Sequence, residues 1–205
     1  MRRKLWLAIL VLALGGTGVA SAQTLGTPIF KGPYRAFKSN ELGGYISDPG
    51  DGISFALEGE YRRADRRGRF DWGLRFGYMD PQGNGDGIFA IGADVRAPVA
   101  RHTQDFPLDA SVTAGFGALF SNGNSGFLVP LGITLGRQVL LEGSNISFVP
   151  WVHPVIAPSF GDLYDGAQFG LGLGVDINLS RTWDARLSGA LGDLDGFGVG
   201  LAWHR

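Results

Sequence analysis

Residues 168–203 read QFGLGLGVDINLSRTWDARLSGALGDLDGFGVGLAW, and this stretch decides the fold. Phe169, Leu171, Leu173, Val175, Ile177 and Leu179 alternate with Gln168, Gly170, Gly172, Gly174, Asp176 and Asn178. After a turn at Ser180-Arg181-Thr182, Trp183, Ala185, Leu187 and Leu191 alternate with Asp184, Arg186 and Ser188. After a second turn, 192–196, Phe197, Val199, Leu201 and Trp203 alternate with Gly198, Gly200, Ala202 and His204. Side chains on a strand point to opposite faces in turn, so this period of two predicts three strands joined by tight turns.

The same pattern extends toward the N-terminus. A short strand is expected over 41–47, then the turn Asp48-Pro-Gly-Asp-Gly52. Ile53, Phe55, Leu57 and Tyr61 form the next apolar row, opposite Ser54, Glu58, Glu60 and Arg62. Phe70, Trp72, Leu74, Phe76 and Tyr78 oppose Arg69, Asp71 and Arg75; Phe89, Ile91, Ala93, Val95 and Ala97 oppose Asp94 and Arg96. Leu108 to Ala118 alternates against Asp109, Ser111 and Thr113, and 127–135 and 146–156 complete the series. No segment shows helical spacing. Each run approaches the roughly 9–11 residues that a tilted strand needs to cross a bilayer. The expectation is an all-β, up-and-down antiparallel transmembrane β-barrel of about eight to ten strands, because closure leaves no open edge.

Alternation alone leaves the wet face open. A soluble barrel turns its apolar rows inward around a ligand, whereas a membrane barrel turns them outward. The apolar rows here are bulky, and about ten of them would overfill a small barrel. The polar rows are rich in Gly, Ala and Ser. They also carry both signs of charge: Glu58, Glu60, Asp71, Asp94, Asp109, Asp176 and Asp184 against Arg62, Arg69, Arg75, Arg96 and Arg186. These are expected to pair inside a narrow, mostly filled lumen. Aromatics near strand ends, among them Tyr61, Phe70, Tyr78, Phe120, Phe127, Trp183, Phe197 and Trp203, suit girdles at two interfaces.

The start of the chain sets a compartment. Arg2, Arg3 and Lys4 precede an apolar run, and Ala20-Ser21-Ala22 is a small-residue cleavage site. Residues 1–22 therefore read as a secretory signal peptide cleaved after Ala22, too short in its apolar part for the roughly 20 residues of a spanning helix. Residues 23–40 lack a clean period. They are expected to form either a loosely ordered arm or a partial plug whose Phe30, Tyr34 and Phe37 fill the barrel; residues 41–205 form the barrel. The chain has no cysteine, so packing and ladder hydrogen bonds must hold an exported fold. A net charge of −1 without a basic block gives nucleic-acid binding no support.

In these features the chain resembles small outer-membrane β-barrel proteins of the OmpA/OmpX type, over roughly residues 41–205. The hairpin Gly174-Val-Asp-Ile-Asn-Leu-Ser-Arg-Thr-Trp-Asp-Ala-Arg-Leu187 looks like a periplasmic turn of that class. Gly198, Leu201 and Trp203 resemble its terminal assembly signal, although that class usually ends on an aromatic residue and this chain ends His204-Arg205. The resemblance implies an outer-membrane location, with membrane lipid and the barrel assembly machinery as partners and a monomeric state. With ten strands and periplasmic termini, the outer loops are 48–52, 80–87, 121–125, 159–166 and 192–196, all short.

Catalytic chemistry has little support. His153 is the one histidine placed mid-strand on the inward parity. A hydrolase would need a nucleophile and an orienting carboxylate beside it, and the His-x-Ser or Asp-x-His pairs of the family's lipid deacylases and proteases do not occur. His153 is expected to be a hydrogen-bonded lumen residue. No metal site and no cofactor are implied. Pro150, Pro154 and Pro158 share one parity, and Pro130 interrupts the preceding strand, so one side of the 146–156 strand lacks ladder donors. This is either a local bend or a lateral seam that could admit a lipid or apolar ligand. The expected role is structural or associated with lipid or small solutes. The alternatives are a narrow, porin-like channel or transporter, and a soluble exported barrel that binds an apolar ligand.

Overall fold

A computed structural model describes residues 30–50, 52–83, 85–163 and 166–205. The proposed signal peptide and residues 23–29 lie outside the described residues. Every regular element among those described is a strand. They are β1 (Asn40–Asp48), β2 (Ile53–Ala64), β3 (Asp71–Pro81), β4 (Ile88–Ala100), β5 (Asp109–Ser121), β6 (Asn124–Leu128), β7 (Leu131–Gly136), β8 (Val139–Leu140), β9 (Ser147–Gly161), β10 (Ala167–Asn178), β11 (Trp183–Gly192) and β12 (Gly196–His204).

The barrel has ten staves, because β6, β7 and β8 lie end to end as one. Their pairs with β9, such as Leu128↔Ser159, Leu131↔Ile156 and Val139↔Phe148, keep a single register. The single run expected over 127–135 is thus longer and interrupted, and Pro130 sits in the first break. Each stave pairs antiparallel with its chain neighbours, and β1 pairs with β12 through Tyr45↔Gly200. The ring is closed, in up-and-down order.

Both ends of the barrel chain meet at one rim. The Ser39 N–H donates to the Arg205 carbonyl at 3.0 Å, and the Arg205 N–H donates to the Asn40 carbonyl at 3.0 Å. The turns 65–70, 101–108, 141–146 and 179–182 share this rim, and the ends of β1, β3, β5, β9 and β11 mark the other.

The apolar rows point outward. Leu42, Leu57, Leu74, Ile91, Ile133, Ile156 and Leu201 are exposed, and Phe76 reaches 69% exposure in mid-strand. Glu58, Glu60, Arg62, Asp71, Arg75, Asp94, Arg96 and Asp184 are buried on the opposite face. A ligand cavity lined by the apolar rows is therefore not the arrangement present. Ile53 is an exception to its expected row. The register of β2 against β3 shifts between Ile53 and Phe55, and this irregularity turns Ile53 inward.

The interior has two halves. Toward the rim opposite the termini, Phe30, Ile53, Met79, Leu119, Leu128 and Leu194 join a packed apolar cluster. Toward the terminal rim the interior is ionic. The small inward residues make room for large ones: a Cβ on Gly172 would run into Phe30, one on Gly174 into Trp151, and one on Gly200 into Tyr45. Those glycines explain how a narrow barrel accommodates inward aromatics.

Candidate functional site

Arg62, inward on β2 and 2% exposed, is the centre of the ionic half. Its Nη1 donates to Glu60 Oε1 at 2.7 Å and to Asp94 Oδ2 at 2.9 Å, and its Nε donates to Asp71 Oδ1 at 2.9 Å. Register explains the cluster: Asp71 pairs across to Arg96, and Glu60 pairs across to Arg75. Arg96 Nε donates to Asp71 Oδ2 at 3.0 Å. Arg75 lies 3.7 Å from Asp94, and no hydrogen bond joins them. A second group lies across the closing staves. Arg186 Nη2 donates to Glu41 Oε2 at 2.6 Å, and its Nη1 donates to the Tyr45 hydroxyl at 2.6 Å. That hydroxyl donates to Glu60 Oε2 at 2.9 Å and so links the two groups. Asp184 accepts from Asn178 at 2.8 Å, and Asp176 accepts from Trp151 Nε1 at 3.0 Å.

Buried charges persist only when paired and hydrogen-bonded. Arg62 makes two hydrogen bonds to each of Asp71 and Asp94, so the centre of the network cannot separate cheaply.

The segment 30–39 runs inside this ring. Lys31 Nζ donates to Asp94 Oδ2 at 2.6 Å and lies 3.6 Å from Glu60. The wall binds the segment's backbone as well. Arg96 Nη1 donates to the Gly32 carbonyl at 2.6 Å, Thr134 Oγ1 to the Lys31 carbonyl at 2.6 Å, and Ser111 Oγ to the Pro33 carbonyl at 3.1 Å. Phe30 and Phe37 are buried, whereas Tyr34, expected with them inside the barrel, is exposed. The remaining space is small: a cavity of about 20 Å³ between Phe30, Lys31, Tyr45, Arg62, Trp151 and Asp176, room for about one water.

His153 faces inward from β9. Its Nδ1 accepts from the Lys31 backbone N–H at 3.2 Å, its Nε2 lies 2.8 Å from Thr113 Oγ1, and its ring meets Phe30 edge-on at 5.7 Å. Ser159 is directed elsewhere and donates to the Gly166 carbonyl at 2.7 Å.

Three expected lumen charges lie outside the network: Glu58 is buried but no donor reaches its carboxylate oxygens, and two others stand at the rim. Arg69 sits in the 65–70 turn, its side chain 64% exposed, and its Nε donates to Asp65 at 3.2 Å. Desolvation acts upward on the Asp65 carboxyl, but the Arg69 hydrogen bond and charge, with the Arg67 and Arg69 N–H groups, hold it below its ordinary value. Asp109 opens β5 at the terminal rim and accepts from the His102 N–H at 2.9 Å. Alternation fails for both because they stand where the strand has ended or barely begun.

Gly198, Leu201 and Trp203 all lie on β12. Gly198 faces in, Leu201 and Trp203 face out, and Trp203 pairs with Trp183. Lys31, Glu41, Tyr45, Trp151 and Thr113 were missing from the expected network. Glu41 and Tyr45 share the inward parity of β1 and were legible on that ground. Lys31 was not, because the segment carrying it has no period. Among the described residues no group of His, Asp or Glu side chains is arranged to hold a metal ion.

No family model and no curated protein matches the sequence. Solved structures do resemble the fold. The β domain of the Bordetella autotransporter BrkA aligns over 80% of this chain and 82% of its own, with 17% identity and a TM-score of 0.50. What the two share is the barrel. The translocator domain of the autotransporter NalP from Neisseria meningitidis aligns over 99% of this chain and 94% of its own, with 12% identity and a TM-score of 0.29. The likeness to the BrkA β domain establishes the fold alone. The OmpA/OmpX-type likeness remains a resemblance of pattern.

Proposed function

We propose that this protein is an outer-membrane β-barrel, exported by a signal peptide cleaved after Ala22, with a sealed interior and a structural or lipid-associated role. One observation carries the reading: the barrel is inverted relative to a water-soluble protein, with bulky apolar side chains outside and paired charges inside. In water, that outer surface would expose an apolar patch far beyond the few hundred Å² of ordinary monomers. Facing lipid, it needs no cover.

The rims support the same reading. Tyr61–Trp72 at 5.8 Å and the Trp183↔Trp203 pair lie toward the terminal rim, and Tyr78–Phe89 at 5.3 Å and Phe127–Phe160 at 5.5 Å toward the other. Two aromatic belts suit two interfaces.

The reading is non-conducting. The segment 30–39 occupies the ionic half and the apolar cluster fills the other, which argues against the porin-like alternative. It is also non-enzymatic. A backbone N–H occupies the His153 nitrogen that an orienting carboxylate would need in a hydrolase.

Membrane fractionation, followed by gel mobility with and without boiling, tests the location. Recovery in the outer membrane with a heat-dependent shift is the expected result. A soluble periplasmic protein with no shift would overturn it. Planar-bilayer recording tests the seal, and steady single-channel conductance would favour the channel reading instead.

A further inference from the structure

One wall of the barrel is weaker than the rest. The pairs between the β6–β8 stave and β9 stop at three places, and each gap contains a proline: Pro158, Pro154 and Pro150. The cause is the missing N–H. The Pro158 carbonyl accepts from the Val129 N–H at 2.9 Å and the Pro150 carbonyl from the Arg137 N–H at 3.4 Å, so the hydrogen-bonding side of these residues faces the stave. On its other side, β9 pairs with β10 without a gap from Ser147 to Pro158. Pro130 removes a donor on the stave's other side, toward β5, where its carbonyl accepts from the Gly115 N–H at 2.8 Å.

Behind this seam lies a cavity of about 10 Å³, no larger than one water, lined by Lys31, Arg75, Asp94, Thr113, Pro130 and His153 among others. Its polar lining is rich in unused donors. Arg75 is 3% exposed, and its Nε and Nη1 have no acceptor. Thr113 follows from the histidine. The Lys31 N–H can only donate, so His153 Nδ1 is an acceptor and carries no proton. The ring proton is then on Nε2 and is donated to Thr113 Oγ1, which leaves the threonine hydroxyl hydrogen free. Gly132 keeps the wall thin here, since a Cβ on it would come within 2.6 Å of His153 Nε2. Outside, Leu131, Ile133, Val152 and Ile156 line the seam with apolar surface.

We propose that this seam parts along its broken ladder and admits the head of a single-chain acidic amphiphile, a long-chain fatty acid. Its carboxylate accepts from Arg75 and Thr113 near the Lys31 ammonium, while its chain lies outside along Leu131, Ile133 and Ile156. A carboxylate matches the site because it only accepts, whereas the free groups only donate. Asp94 is neutralised by Lys31 and Arg62 and does not oppose entry. Glu58, whose oxygens also lack donors, lies two residues along β2 from Glu60, the cross-strand partner of Arg75, and is the rival acceptor for that guanidinium.

The proposal rests on the membrane reading above. The test uses the full exported chain in detergent micelles, titrated with palmitate carrying ¹³C at its carboxyl carbon. One saturable site is expected. R75Q should weaken binding at least tenfold and T113V severalfold, with heat-dependent mobility retained as the check on folding. If R75Q does not fold, T113V decides. Undiminished binding in the folded variants would overturn the site, as would a folded parent with no saturable binding. A parent with no heat-dependent shift would instead overturn the membrane reading itself. Replacing Pro150, Pro154 and Pro158 with alanine restores the donors and should slow palmitate entry several-fold; an unchanged entry rate would overturn the lateral route. Displacement of palmitate by millimolar inorganic phosphate would show that free anions reach the site through the lumen, and would likewise overturn that route.

Discussion

Arg62→Met removes the cation that three carboxylates share. The structure bounds the cost. Asp71 keeps Arg96 at 3.0 Å, Asp94 keeps Lys31 at 2.6 Å, and Glu60 keeps Lys31 at 3.6 Å. No acid is left alone, so the loss should be near that of one broken buried pair, about 3–5 kcal/mol, rather than three such losses added. At about 2–4 °C per kcal/mol for a chain of this size, the melting midpoint should fall by roughly 6–20 °C. The assay is urea unfolding of the barrel in liposomes, read by tryptophan fluorescence and by heat-dependent gel mobility. Two companions sharpen it. Arg69→Met, in the exposed turn, should change stability by less than about 1 kcal/mol. In the double variant Arg62→Met/Asp71→Asn the losses should fall short of additivity by about 1 kcal/mol or more, because removing Asp71 lowers the unpaired charge. An Arg62→Met barrel within about 1 kcal/mol of the parent would refute the claim that this network holds the interior together.

Other outcomes follow from the same geometry. Deleting residues 23–38 removes the segment held by Lys31, Arg96, Ser111 and Thr134, and planar bilayers should then show conductance that the parent lacks. Gly172→Leu forces side-chain atoms into the Phe30 ring and should cost about 1–3 kcal/mol, with partial relief from Phe30→Ala in the same chain. Phe76→Arg places a charge mid-strand on the outer face and should cost about 2–4 kcal/mol in lipid, with reduced recovery of heat-resistant barrel. Amide exchange on β9 should be faster at Val152 and Ile156, which face the stave, than at Trp151 and Val155, which face β10; equal protection would argue against a weak seam.

Much of the fold was legible because a strand writes its two faces into alternate residues. Glu58, Glu60, Arg62, Asp71, Arg75, Asp94, Arg96, Asp176, Asp184 and Arg186 share the inward face because each lies at the right parity within a strand. Where the strand condition fails, parity fails with it. Arg69 lies in a turn, and Ile53 precedes an irregularity that shifts the count by one. The three prolines of β9 marked the gaps in its ladder, since a missing N–H is a property of the residue itself.

The sequence by itself determined that the chain is a set of short amphipathic strands and which residues share a face, since both follow from local stereochemistry. Only the tertiary structure decided the register between strands and how narrowly the ring closes, and so which charges meet. Asp94 meets Arg62 and Lys31 because the barrel closes with a narrow interior, which brings side chains on separate elements within hydrogen-bonding reach. The tertiary structure also decided the place of residues 30–39. That segment has no period of its own and takes its conformation from carbonyls captured by Arg96, Ser111 and Thr134 on the wall. A side chain's face is a property of its own strand, whereas its partner depends on how the ring closes.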